Sequence, residues 1–170
     1  MLEKYTKFFP PQTREGRENF KIANVISNST NKELKDLEFD LVDLLHSGEQ
    51  RDSLVFDYLC YFHNEEFKQW LLKNTFPKNY GYATLQKLVY SYWLDRNENL
   101  IPYIIENLRV IDEVFTLSHL FYNLAVLESK ALNLEIKKYT TSKDVLLEHN
   151  SKTALEYADV LKHEPLQFGA

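Results

Sequence analysis

Glycine and proline are scarce in this chain. Its 170 residues include four glycines and five prolines, and between Arg17 and His163 only Gly48, Pro77, Gly81 and Pro102 interrupt the run. An all-β domain of this length needs turn residues about every 8–12 positions, so that class is excluded. The same scarcity leaves no glycine-rich loop to cradle a phosphate, which removes the P-loop and dinucleotide-binding readings. Cys60 is the single cysteine, so no disulfide framework exists, as suits a reducing compartment. No apolar run reaches the roughly 18 residues of a membrane span. Met1 to Lys7 lacks the apolar stretch of a leader peptide. The expected location is the cytoplasm, with no membrane association.

Basic residues are outnumbered, 20 against 25 acidic, for a net charge of −5. An acidic surface repels phosphate backbones, so nucleic acid is not an expected partner, and a basic protein is a better one. Aromatics, by contrast, are plentiful, at 11 Phe, 11 Tyr and 2 Trp, and supply core volume in large pieces.

The periodicity predicts helices almost throughout. After an irregular arm over residues 1–12, a short helix is expected near Arg14 to Ser27, with Phe20, Ala23 and Ile26 inward. Asn31 caps the next helix, Asn31 to Ser47. There Leu34, Leu37, Leu41, Leu44 and Leu45 form one apolar stripe, and Gly48 supplies the stop. Further helices are expected over Glu49–Phe62, Glu65–Asn74, Ala83–Arg96, Glu98–Arg109, Glu113–Ser129, Lys130–Tyr139, Lys143–Glu148 and Lys152–His163. Asp112, Ser142 and Ser151 are the candidate caps of the late ones. Residues 164–170 read as a tail.

An internal repeat organises these helices. Leu54-Val55-Phe56-Asp57-Tyr58 matches Leu88-Val89-Tyr90-Ser91-Tyr92 at a spacing of 34, and after one dropped residue Asn64 to Asn74 matches Asn97 to Asn107. A fainter third copy begins at Leu120-Phe121-Tyr122-Asn123-Leu124. Two helices per unit at this period are the signature of stacked hairpins, because a lone hairpin cannot cover both of its apolar faces. A plain bundle with two similar hairpins is the alternative.

The segment Glu98-Asn99-Leu100-Ile101-Pro102-Tyr103-Ile104-Ile105-Glu106-Asn107-Leu108 resembles the second helix of a HEAT-like repeat, with proline in the first turn and an aliphatic run after it. Gln69 stands where the earlier copy should carry that proline. The resemblance implies an all-α fold, a short right-handed α-α superhelix of helical hairpins. Length, enough for one domain and too little for two ordinary ones, predicts a single domain over 1–170, with repeats over 31–138 and C-terminal helices over 139–163.

Catalytic constellations are hard to find. Asp43 and His46 lie one turn apart, but no second such pair exists to build a bridged metal site. Cys60 and His63 are also one turn apart, yet Cys60 sits in Tyr58-Leu59-Cys60-Tyr61-Phe62, where a small buried residue is expected. Ser118 and His119 are neighbours on a helix and face apart. No catalytic residue, metal or cofactor is expected. The sharpest polar pattern is Glu33, Asp36, Asp40 and Asp43 at i, i+3, i+7 and i+10, a carboxylate stripe suited to a basic surface and equally compatible with an ordinary solvated face. Asp52, Asp57, Glu98, Glu106, Asp112 and Glu113 are further acids of unknown placement. Tyr80 and Tyr82 flank Gly81 in a loop and are candidate interface anchors.

These features fit a protein-binding module without catalysis. The profile looks like that of bacterial immunity proteins, which neutralise a cognate toxin, often a basic nuclease. A scaffold holding a peptide or helix in a solenoid groove is the alternative. A ligand-binding enzyme with a cleft at Trp93, Asp95 and His119 is the third reading. Oligomeric state is not legible.

Overall fold

A computed structural model describes residues 6–10, 13, 15–16, 20–47, 53–74, 80–161, 165–166 and 168. Among them every regular element is helical, so the fold is all-α. The helices are α1 (Ile22–Ser27), α2 (Asn31–His46), α3 (Ser53–Tyr61), α4 (Glu65–Asn74), α5 (Tyr82–Asp95), α6 (Ile101–Arg109), α7 (Val114–Ala125), α8 (Lys130–Lys137), α9 (Val145–Glu156) and α10 (Ala158–Leu161), with a 3-10 turn at Glu98–Leu100 leading into α6. Gly48 and Pro77 lie outside the described residues.

Several helix starts differ from the sequence reading, for one physical reason. The side chain that best reaches the free first-turn N–H groups takes the cap. Thr30 rather than Asn31 caps α2, because it completes a reciprocal box with Glu33. Glu113 rather than Asp112 caps α7, its carboxylate accepting the N–H groups of Phe115 and Thr116. Asp144 rather than Ser142 caps α9, and the Ser142 hydroxyl accepts from the Asp144 N–H instead. Ser151 caps nothing. It is buried inside α9 and donates to the Glu148 carbonyl, so the two expected segments around it are one helix. Pro102 does lie in the first turn of α6, where its missing N–H is harmless.

The repeat has a backbone signature that its sequence did not reveal. Among the described residues, the non-glycine residues with left-handed φ are His63 (51°), Arg96 (50°) and Glu128 (57°). They stand 33 and 32 residues apart, at the α3–α4, α5–α6 and α7–α8 junctions. At the first, the N–H of Asn64 donates to Leu59 O and that of His63 to Cys60 O, a complete Schellman stop. Each hairpin then opens its second helix with Asn64, Asn97 or Ser129. The Asn64 and Asn97 side chains accept first-turn N–H groups. A left-handed residue with a Cβ is disfavoured by about 1–2 kcal/mol, and glycine returns about 0.5–1 of that through its looser unfolded chain. Glu128 is exposed. Glu128→Gly is therefore expected to stabilise the protein by about 0.5–1 kcal/mol, a rise in Tm of roughly 2–3 °C by calorimetry. An unchanged or lower Tm contradicts this.

The chain divides into two compact units, one of residues 1–68 with 165–170 and one of residues 69–164, the boundary falling within α4. In the first, α2 packs on α3. Every residue of α3 from Leu54 to Cys60 is buried, as expected of a helix apolar around most of its surface. Phe8 sets its ring edge against Tyr58, and Phe56 stacks on Phe67. Two adjacent polar side chains on α3 hold distant chain segments. The Tyr58 hydroxyl donates to the Phe8 carbonyl at 2.7 Å. Burial, helped by the neighbouring Asp57 charge, pushes that phenol well above its usual range, so it stays a neutral donor. The Asp57 carboxylate, fully buried, accepts the N–H of Phe168 at 2.9 and 3.1 Å. Asp57 is thus an internal ligand and no part of an acidic surface.

In the second unit α5 packs on α6, α7 on α8, α6 on α8, and α9 on both α7 and α8. The second helices α6 and α8 thus neighbour each other, and α7 neighbours α9. The first helices bury the matched positions Leu88 to Tyr92 and Leu120, Phe121, Asn123 and Leu124. The fourth repeat position is polar and buried in all three copies, as Asp57, Ser91 and Asn123. Between α6 and α8 the Arg109 guanidinium grips Glu135 with two 2.8 Å bonds, and Lys138 adds a third cationic contact. Not every aromatic is core: Tyr103, matched to Trp70 by the repeat, is about half exposed.

Candidate functional site

The carboxylate stripe lies on α2, and the structure divides it. Glu33 is committed to the fold. Its carboxylate accepts the Thr30 N–H at 2.8 Å and pairs with Lys7 Nζ at 2.5 Å. The Lys7 contact first, then the Thr30 bonds, pull its pKa down to about 2. A lowered native pKa contributes stability that is complete above the ordinary glutamate value. That stability is lost as pH falls from about 4.5 toward 2. Glu33→Gln is expected to flatten this part of the acid-unfolding curve of the first unit, followed by α2 helicity against pH. An acid limb identical to the parent's contradicts the assignment.

Asp40 is half-buried and engaged, whereas Asp36 and Asp43 are exposed. Between these two stands a residue the sequence reading passed over. Phe39 is two-thirds exposed, three residues after Asp36 and four before Asp43, hence adjacent to both on the helix surface. It falls outside the leucine periodicity, and that was the available signal. A large aromatic opposite the core stripe has no reason in packing. The open α2 face therefore centres on Asp36, Phe39 and Asp43, with Lys32 and Lys35 also exposed on the helix.

Acidity is concentrated around this helix. From Asn31 to Glu66 there are ten acidic residues, the buried Asp57 among them, and three basic ones, a net of −7 that exceeds the −5 of the whole chain. At the start of α4, Glu65 and Glu66 are exposed. Two contacts tie that end to α2, with Asn64 Nδ2 donating to Glu38 at 2.7 Å and His46 Nε2 lying 3.0 Å from Glu66.

Tyr80 and Tyr82 belong to the other unit. They flank Gly81, whose φ of 135° only glycine holds easily. Its N–H donates to the Asn107 side chain, which in turn donates to the Tyr103 carbonyl. Tyr80, Tyr82 and Tyr103 are all exposed.

Cys60 is buried, while His63 is exposed in its left-handed turn. The buried Ser118 hydroxyl donates to the Phe115 carbonyl, and the exposed His119 ring meets the Phe115 ring. Trp93 lies under the Arg96 guanidinium. Among the described residues no three His, Cys, Asp or Glu side chains gather as a metal site requires, and no helix is long and apolar enough to cross a membrane. No family model, curated protein or solved structure matches this chain.

Proposed function

We propose that this chain is a protein-binding module whose α2 face engages a basic partner. The observation that carries the reading is Phe39, an exposed aromatic set between two exposed carboxylates in the most acidic stretch of the sequence. A large exposed aromatic within a polar rim is a common make-up of an interface hot spot, and the helix neighbours of Phe39 here are Asp36, Asp43 and Lys35. Carboxylates there steer and orient a cationic surface. Asp36, Phe39 and Asp43 make the centre of the site, with Asp40 at its flank and Glu33 holding the helix start. The immunity-type role follows in this reading. A cytoplasmic module, built as a right-handed superhelix of HEAT-like hairpins, masks the nucleic-acid surface of a basic toxin with its own carboxylates.

A second reading has its own support. The exposed Tyr103, Val110 and Leu134 on α6, its C-terminal turn and α8 suit an adaptor that takes a peptide or helix on its second helices. Tyr80 and Tyr82 belong with that surface.

The deciding experiment is affinity capture from the native source with the parent chain and with Asp36→Lys/Asp43→Lys in parallel. A basic protein retained by the parent, lost by the variant, and inhibited by an equimolar amount of the parent supports the reading. Equal retention by both moves the site off α2, and retention by the variant alone refutes it.

A further inference from the structure

We infer that Pro165, Leu166 and Phe168 mark a strap that closes the α3 side of the first unit, and that its release opens this unit while the second unit stays folded. The contact joins positions 111 residues apart, through the Phe168 N–H held by both oxygens of Asp57. Pro165 and Leu166 are buried, Leu166 to 1 % exposure. The repeat register shows what is special about the receiving position. The equivalent residues in the other two first helices are Ser91 and Asn123, both neutral. Only the α3 copy carries a full charge there, and it takes a backbone N–H from outside the hairpin. A charged acceptor roughly doubles the strength of such a bond.

A sub-global opening can release the strap while the rest of the fold keeps its hydrogen bonds. Undocking takes the Phe168 N–H away from the buried Asp57 carboxylate of α3. Because α2 rests on α3, the packing behind the α2 face depends on the strap as well.

Hydrogen exchange on the full chain tests this without any substitution. The α3 amides and the Phe168 amide are expected to open together, at a lower free energy than those of α7 and α9. Leu166→Ala removes strap packing without touching α3, and is expected to lower α3 protection by roughly 30-fold or more, the lower end for a truncated buried leucine. Asp57→Asn is expected to lower it by about tenfold, the loss of one charge-assisted bond. In both variants α7 and α9 should stay within about twofold of the parent. Equal loss in both units, or unchanged α3 protection in Leu166→Ala, overturns the strap. Separate opening of α3 and Phe168 in the parent also overturns it.

Discussion

Glu135→Ala is expected to destabilise the 69–164 unit by about 2 kcal/mol, read as a lower urea midpoint with an unchanged slope. The carboxylate is 6 % exposed and carries three cationic contacts, two from Arg109 and one from Lys138. Breaking a fully buried pair typically costs about 3–5 kcal/mol. Here both cations are more than half exposed and recover hydration once the carboxylate is gone, so the smaller figure is expected. The Arg109 contact first, and Lys138 with it, hold the Glu135 pKa below the usual carboxylate range. The contribution is therefore complete above the unfolded-state pKa and lost as pH falls through the lowered native one. Glu135→Gln keeps the shape, loses the charge, and should abolish that acid dependence. A double-mutant cycle with Arg109→Leu isolates the pair. No coupling, or a destabilisation as large at pH 3 as at pH 7, contradicts this account.

This ion pair also shows where sequence reasoning stops. Most helix extents and the hairpin order were legible, because leucine spacing and a repeated Leu-Val-aromatic motif report burial directly. Junctions were less so. Glycine and proline were the natural punctuation to look for. Yet the three hairpin turns use His63, Arg96 and Glu128, residues whose Cβ disfavours the left-handed backbone they hold. The caps at Thr30, Glu113 and Asp144 each lie one or two residues from the residue first favoured, since reach to the first-turn amides decides and composition does not. Tertiary pairs such as Arg109–Glu135 and Asp57–Phe168 leave no local trace. The acidic stripe was legible as spacing. That Glu33 serves the helix start, and that Phe39 stands beside Asp36 and Asp43 in the open, required the burial pattern.

The largest expected effect on binding falls on that face. Phe39→Ala is expected to weaken a basic partner by roughly 30-fold or more, the threshold of about 2 kcal/mol that marks a hot spot. It should do so mainly through faster dissociation and with little change in salt dependence. Asp36→Lys/Asp43→Lys is expected to weaken the same partner by roughly 100-fold, since juxtaposed like charges cost several kcal/mol. Here slower association and a flattened salt dependence carry the effect. Both variants should keep the parent's helicity, because all three side chains face solvent and the capping box at Thr30 and Glu33 is untouched. The two signatures are independent. An anchor without steering leaves the charge variant near parent affinity, and steering without an anchor leaves Phe39→Ala near parent affinity. Surface plasmon resonance at two salt concentrations separates these cases. If both variants bind as the parent does, the stripe is an ordinary solvated face, and the second helices around Tyr103 and Leu134 become the surface to probe.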